Sequence, residues 1–188
     1  MSRADSQLSS RIRSLDGLPL IANGVVLRRL AAGDLGAFQA YRHDALLGRY
    51  QGWSATSDDD AALLIAEMST AELFQEGVWF QIGIADAADM ALIGDIGLLL
   101  INGGQDMEIG FTLQRASQRR GLATDAVREV IAFAFEQTQA ERVLGITDAR
   151  NLSSIRLLER VGMRKTASSS AVFRGEPCIE LTYAVSRI

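Results

Sequence analysis

The sequence predicts a mixed α/β (α+β) domain with a mostly antiparallel central sheet of about seven strands flanked by helices. Three observations predict it. The candidate elements follow the order strand, two helices, three strands, helix, strand, helix, two strands, which is a meander interrupted by helices. Met107, Ile109, Phe111 and Leu113 alternate with Glu108, Gly110 and Thr112, the pattern of a strand with two different faces. Val127, Val130, Ile131, Ala134 and Phe135 form a continuous apolar stripe on a helix spanning Gly121 to Thr138.

Each element has its own local signal. Met1 to about Gly17 is polar, rich in Ser and Arg, and reads as a mobile leader. With the boundary drawn at residue 20, one domain is expected over 21–188. Val25 to Leu30 reads as the first strand. Asp34 to Leu47 reads as a helix, because Leu35, Phe38 and Tyr41 recur at three-residue spacing. Tyr50-Gln51-Gly52-Trp53 breaks that pattern as an aromatic loop. Ser57 can cap a second helix running to about Phe74, and Asp58, Asp59 and Asp60 suit the positive end of its dipole. Val78–Ala85, Ala91–Ile101 and Met107–Leu113 read as three strands, with Asn102-Gly103-Gly104 as a turn. Trp79 and Phe80 are expected in the core. After the helix at Gly121 come a strand at Arg142–Asp148 and a short helix, Leu152–Val161, ended by Gly162. Two closing strands, Met163–Phe173 and Cys178–Val185, flank the turn Arg174-Gly175-Glu176-Pro177.

Composition excludes several classes. Hydrophobic residues are 48% and charged residues 22% of the 188, which is globular composition, not disorder. No apolar run approaches the roughly 20 residues of a membrane span; Ile93 to Ile101 is interrupted by Gly94, Asp95 and Gly97. One Cys and one His argue against a disulfide framework and against a Cys/His metal site, so no metal is expected. A net charge of −4 argues against a general nucleic-acid binder. The first residues carry charge without an apolar core, unlike a secretory signal, so the expected location is the cytoplasm.

The segment from Phe111 to Thr124 carries the chemistry. A strand ends, a short basic loop with Arg115, Arg119 and Arg120 follows, and a long helix starts at Gly121-Leu122-Ala123-Thr124. A helix N-terminus presents unpaired N–H groups and a dipole that favours an anion. Gly121 and Ala123 let a phosphate approach the backbone, so the segment suits a pyrophosphate. It is neither a Walker loop, lacking Gly-Lys-Ser/Thr, nor a Gly-x-Gly-x-x-Gly fingerprint.

Gln118-Arg119-Arg120-Gly121-Leu122-Ala123 resembles the Q/R-x-x-G-x-G/A signature of the GNAT N-acetyltransferase superfamily. The likeness extends to the strand Glu108–Leu113, to Ile93–Leu98, and to Asn151–Met163, which resembles N-x-x-S-x-x-L-L-E-x-x-G-F. Together with Phe173-Arg174-Gly175-Glu176 it is most similar to the RimJ/RimL-like branch, and it covers roughly Val25 to Val185. The resemblance implies acetyl-CoA as co-substrate, in a cleft where Met107–Leu113 and Arg142–Asp148 run parallel and splay apart. It implies that Phe111, Thr112 and Leu113 meet the pantetheine arm, that Gln118, Arg119, Arg120, Gly121, Leu122, Ala123 and Thr124 form the pyrophosphate loop, and that Asn151 and Ser154 contact the other side.

The implied reaction is direct attack of a primary amine on the thioester, with no acyl-enzyme. Glu108 is the candidate base, directly or through water, and Asp95 the second choice; Glu108 also reads as a surface carboxylate or ion-pair partner. An α-amine, with an ordinary pKa of about 7.7–8.0, needs less help than a lysine amine near 10.4. Leu158 occupies the position where many members carry a proton-donating Tyr, so Ser154 or water is left for the leaving thiolate. Tyr50 and Trp53 either line the acceptor pocket or pack their loop on the core. His43, the adjacent Asp44 and the Asp58–Asp60 run are read as structural, since neighbouring helical residues point apart. Cys178 is read as an ordinary strand residue. The expected acceptor is a protein N-terminus, a small amine, an amino acid or an aminoglycoside-like compound; a homodimer is expected only from similar proteins. The competing readings are an acyl-CoA-binding sensor without catalysis and a plain interaction domain.

Overall fold

The computed structural model describes residues 17–187. An eight-stranded sheet runs in the order β1-β2-β3-β4-β5-β6-β8-β7. Its strands are β1 (Leu20–Ala22), β2 (Val25–Arg29), β3 (Phe80–Asp86), β4 (Leu92–Ile101), β5 (Asp106–Leu113), β6 (Arg142–Asp148), β7 (Arg164–Phe173) and β8 (Glu176–Ser186). Among the described residues five α-helices accompany them: α1 (Leu35–Arg42), α2 (Ala45–Gly48), α3 (Asp58–Thr70), α4 (Leu122–Gln137) and α5 (Leu152–Arg160). Every neighbouring pair is antiparallel except β5 and β6. The expected mixed, mostly antiparallel sheet is therefore present.

The parallel pair creates the site. Its register holds from Asp106↔Arg142 to Ile109↔Gly145 and then stops. Beyond that point β5 stays paired with β4 as far as Leu113↔Gly94, while β6 follows β8 to Asp148↔Glu180. The two strands thus form a V. Its closed end is fastened by Arg142, whose Nε and Nη2 each donate to the buried Asp106 at 2.7 Å. That guanidinium holds the Asp106 carboxyl below the usual carboxylate range.

The two sheet faces carry different helices. Val127, Val130 and Ala134 of α4 are fully buried, as their apolar spacing requires. Leu158 of α5 packs over Gly145, where an added Cβ would lie 2.6 Å from its Cδ2. On the opposite face α1 is fixed to β4 by Asp95, which accepts from Tyr41 Oη at 2.8 Å and from Arg42 Nη2 at 2.5 Å. The Arg42 guanidinium stacks over Phe38 and Trp53 at 4.6 and 4.4 Å from the ring centroids.

The structure differs from the expectations in several details. The sheet has eight strands, because Leu20–Ala22 pairs with β2 although its three residues show no alternation long enough to read. Leu18 is buried, so ordered packing begins before the boundary drawn at residue 20; the rest of the expected leader, residues 1–16, lies outside the described residues. The helix expected over Asp34–Leu47 is broken. The Asp44 carboxylate accepts from the Leu46 and Leu47 N–H groups and starts a new turn, a capping preference that overrides the apolar spacing. The strand expected from Val78 begins at Phe80, and Trp79 stands outside it, 40% exposed, with its ring over Gly97.

Candidate active site

A cleft of about 730 Å³ occupies the open V. Its floor is Phe111, Thr112 and Leu113 of β5. One wall is the loop into α4, the other is α5, and Leu46, Leu47, Tyr50 and Gln51 form the rim.

The loop is shaped by two residues in the left-handed region, Arg119 at φ 62° and Gly121 at φ 85°. Glycine takes that conformation without strain, whereas Arg119 has to be held in it. The first helical turn closes with Thr124 and Asp125 N–H donating to the Gly121 carbonyl at 2.9 and 3.1 Å. The N–H groups just before them precede any helical acceptor and border the cleft. Opposite, Asn151 caps α5 by accepting from Ser154 N–H at 3.2 Å, which leaves its Nδ2 end for a ligand carbonyl.

The free edge of β5 is not bare. Gln51 Nε2 donates to the Phe111 carbonyl at 3.1 Å, and Gln118 Nε2 to the Leu113 carbonyl at 2.9 Å. Two side-chain amides stand where a neighbouring strand would otherwise pair. The rim loop is clasped from the β7–β8 turn by Arg174, which donates to the Gln51 and Trp53 carbonyls.

At the narrow end of the V a constriction of about 40 Å³ is lined by Tyr50, Gly110, Ile146, Ser154 and Leu158 among others. A Cβ added to Gly110 would meet nothing within 4 Å, so the sheet face above it is open. Glu108, two residues earlier on the same face, is half-buried; burial, and then the like charge of Glu180, push its carboxyl above the usual range. Trp79 and Gln81 cover the adjacent Gly97 and border this open face.

A family model described as an acetyltransferase (GNAT) domain matches residues 25–164. The chain belongs to the GNAT acetyltransferase family. The "Probable N-acetyltransferase YjcK" of Bacillus subtilis (strain 168) is 38% identical over 88 residues, 46% of this chain and 49% of that protein. The match thus spans about half the length of that curated relative. A GNAT-family acetyltransferase from Bacillus anthracis superposes with a TM-score of 0.79 at 19% identity, covering 90% of this chain and 98% of that one. RimL, a ribosomal-protein α-N-acetyltransferase solved with coenzyme A, superposes with a TM-score of 0.76 at 14% identity, covering 89% and 96%. At those identities the likeness is one of fold.

Most of the residues singled out from the sequence meet in the GNAT cleft. Phe111, Thr112, Leu113, Gln118, Arg119, Gly121, Leu122, Ala123, Thr124, Asn151, Ser154 and Tyr50 all line it. Arg120 does not: its guanidinium turns away to Asp86, 3.4 Å distant. Trp53 lines neither hollow; it donates to Thr112 Oγ1 at 3.3 Å and stacks on Arg42, so it fixes the rim loop. Asp95 is enclosed and bonded to Arg42 and Tyr41, which removes it as a base. Arg156, Leu157 and Arg160 line the α5 wall and escaped the sequence reading, although Ser153, Arg156 and Arg160 recur at the spacing of one helix face. Among the described residues no His, Cys, Asp and Glu group is arranged to hold a metal ion, and no helix is long and apolar enough to cross a membrane.

Proposed function

We propose that the protein transfers the acetyl group of acetyl-CoA to a primary amine, either a protein α-amine or a small-molecule amine. One observation carries this reading. The V between β5 and β6 has an anion-binding helix N-terminus at its wide end and an open, glycine-floored face beside a carboxylate at its narrow end. A long ligand that is anionic at one end and reactive at the other fits that polarity.

The residues fit the co-substrate. The N–H groups at the start of α4 and Arg119 hold the pyrophosphate. Asn151 Nδ2 and the Phe111 and Leu113 carbonyls meet the pantetheine amides; a carbonyl accepts two hydrogen bonds, so Gln51 and Gln118 can share these sites. Acetyl-CoA supplies an activated acetyl thioester. The amine enters over Gly110, and Glu108 accepts its proton directly or through water. Leu158 carries no proton and is buried against Gly145, so the hydroxyls at the constriction, Tyr50, Thr147 and Ser154, are the donors available to the leaving thiolate.

The buried Leu158 also motivates a second reading, an acyl-CoA-binding domain without turnover. The first test is thermal unfolding with acetyl-CoA, with coenzyme A and NAD as controls. A ligand at 100 times its Kd adds about 2.7 kcal/mol, or roughly 5–11 °C in a chain of this size. Thiol release with a panel of amines then separates the two readings. A Tm shift without release from any amine supports the binding domain; no shift at millimolar acetyl-CoA removes both.

A further inference from the structure

Among the described residues four arginines line the cleft, Arg115, Arg119, Arg156 and Arg160, and no Asp or Glu does, in a chain whose net charge is −4. Arg115 leans toward Asp44 at 3.9 Å. Among the described residues, Arg119, Arg156 and Arg160 have no carboxylate within ion-pair distance. The acid that could neutralise the α5 pair is drawn elsewhere: Glu159 accepts from Tyr183 Oη at 3.2 Å. Two unpaired guanidinium groups, one helical turn apart on a single face, therefore stand across the cleft from the α4 N-terminus.

One anion does not account for both walls. In the acetyl-CoA reading the α4 N-terminus with Arg119 takes the pyrophosphate. Arg156 and Arg160 sit at positions i and i+4, so they are neighbours on one helix face, and both line the cleft. Two neighbouring forks of N–H donors suit a compact dianion with three terminal oxygens, and a phosphate monoester carries about −1.5 to −2 at neutral pH.

Resting on the acetyl-CoA reading above, we propose that Arg156 and Arg160 form a second anion subsite. It recognises the 3′-phosphate on the co-substrate's ribose and makes the cleft select the phosphorylated nucleotide over its dephosphorylated form. The sugar carries its pyrophosphate and its 3′-phosphate on different carbons, so a ligand anchored at α4 can turn the second phosphate toward α5.

The test is calorimetric titration of acetyl-CoA and of acetyl-dephospho-CoA into the wild-type chain and into the Arg156→Gln/Arg160→Gln double variant. Both arginines are exposed, so the variant is expected to keep the wild-type Tm without ligand. The wild type should bind acetyl-CoA about 10- to 100-fold more tightly than the dephospho form, the range for charge-assisted hydrogen bonds. In the double variant acetyl-CoA should fall to the dephospho affinity, which itself stays within about twofold of wild type. Equal affinity of the wild-type chain for both forms overturns the proposal, as does a variant that weakens both forms equally. Failure of the wild type to bind either form overturns the acetyl-CoA reading itself and this subsite with it.

Discussion

Replacing Arg42 by Met should destabilise the fold far more than a surface charge change. The Arg42 and Asp95 side chains are 5% and 3% exposed, and their contact is 2.5 Å. Burial pushes the Asp95 carboxyl up, and Arg42 and the Tyr41 hydroxyl pull it back. Removing one partner of a buried ion pair costs about 3–5 kcal/mol, because the other charge is left unpaired. Loss of the stacking over Phe38 and Trp53 adds about 1 kcal/mol. In a chain of this size that is a Tm drop of roughly 8–24 °C. The Arg42→Met/Asp95→Asn double variant removes both charges and should recover about 2 kcal/mol or more of the sum of the single losses. The assay is urea and thermal unfolding followed by circular dichroism, as a double-mutant cycle. The sign with pH also follows. Without Arg42 the folded Asp95 pKa rises further, so protonation relieves the variant in acid, and its deficit grows as pH rises through that raised value. A deficit below about 1 kcal/mol at pH 7, or one that does not change with pH, would refute the claim that an ionised Asp95 is enclosed here.

Four further variants have expected outcomes. Gly94→Ala places a Cβ 2.1 Å from the Thr112 carbonyl oxygen and should cost about 3 kcal/mol or more in a chemical melt; Gly110→Ala meets nothing within 4 Å and should melt like wild type and bind acetyl-CoA, yet lose amine transfer. Glu108→Gln should lower kcat by about 10²-fold or more. Because the folded pKa of Glu108 is raised, its favourable contribution is present below the ordinary glutamate value and lost as pH rises, so the Gln variant should melt above wild type at pH 8 and match it near pH 4. Tyr50→Phe should reduce kcat with little change in acetyl-CoA affinity; an unchanged kcat across pH 7–9 would remove Tyr50 as proton donor and leave Ser154 and Thr147.

The sheet was legible wherever one strand carried enough residues to show its period. β5 and β6 were placed within a residue of their observed limits, because alternation and the flanking turns agree. β1 was invisible for the opposite reason: Leu20-Ile21-Ala22 is apolar throughout and three residues long, and its pairing is decided by the neighbouring β2. The break at Asp44 was readable in principle. Asp is a strong N-cap, but an apolar residue every third position made one long helix the simpler pattern.

The candidate site divides along the same physical line. Its anion end depends on backbone direction, which a glycine in the left-handed region and a helix start encode locally, so Gly121 to Thr124 could be read from a few consecutive residues. Its other parts depend on which side chains neutralise one another across the fold. Asp95 and Glu108 are both strand carboxylates facing the same side, and nothing nearby in sequence distinguishes them. A residue 53 positions from Asp95, Arg42, takes up its charge, while Glu108 meets only the like charge of Glu180. The same rule exposes Arg156 and Arg160. Glu159, their nearest acid on α5, is held by Tyr183, 24 residues further along the chain, and this leaves both open to an anion. In this protein the groups left free to act on a ligand are those whose long-range partners are missing or taken, and pairings at that distance leave no trace in local pattern.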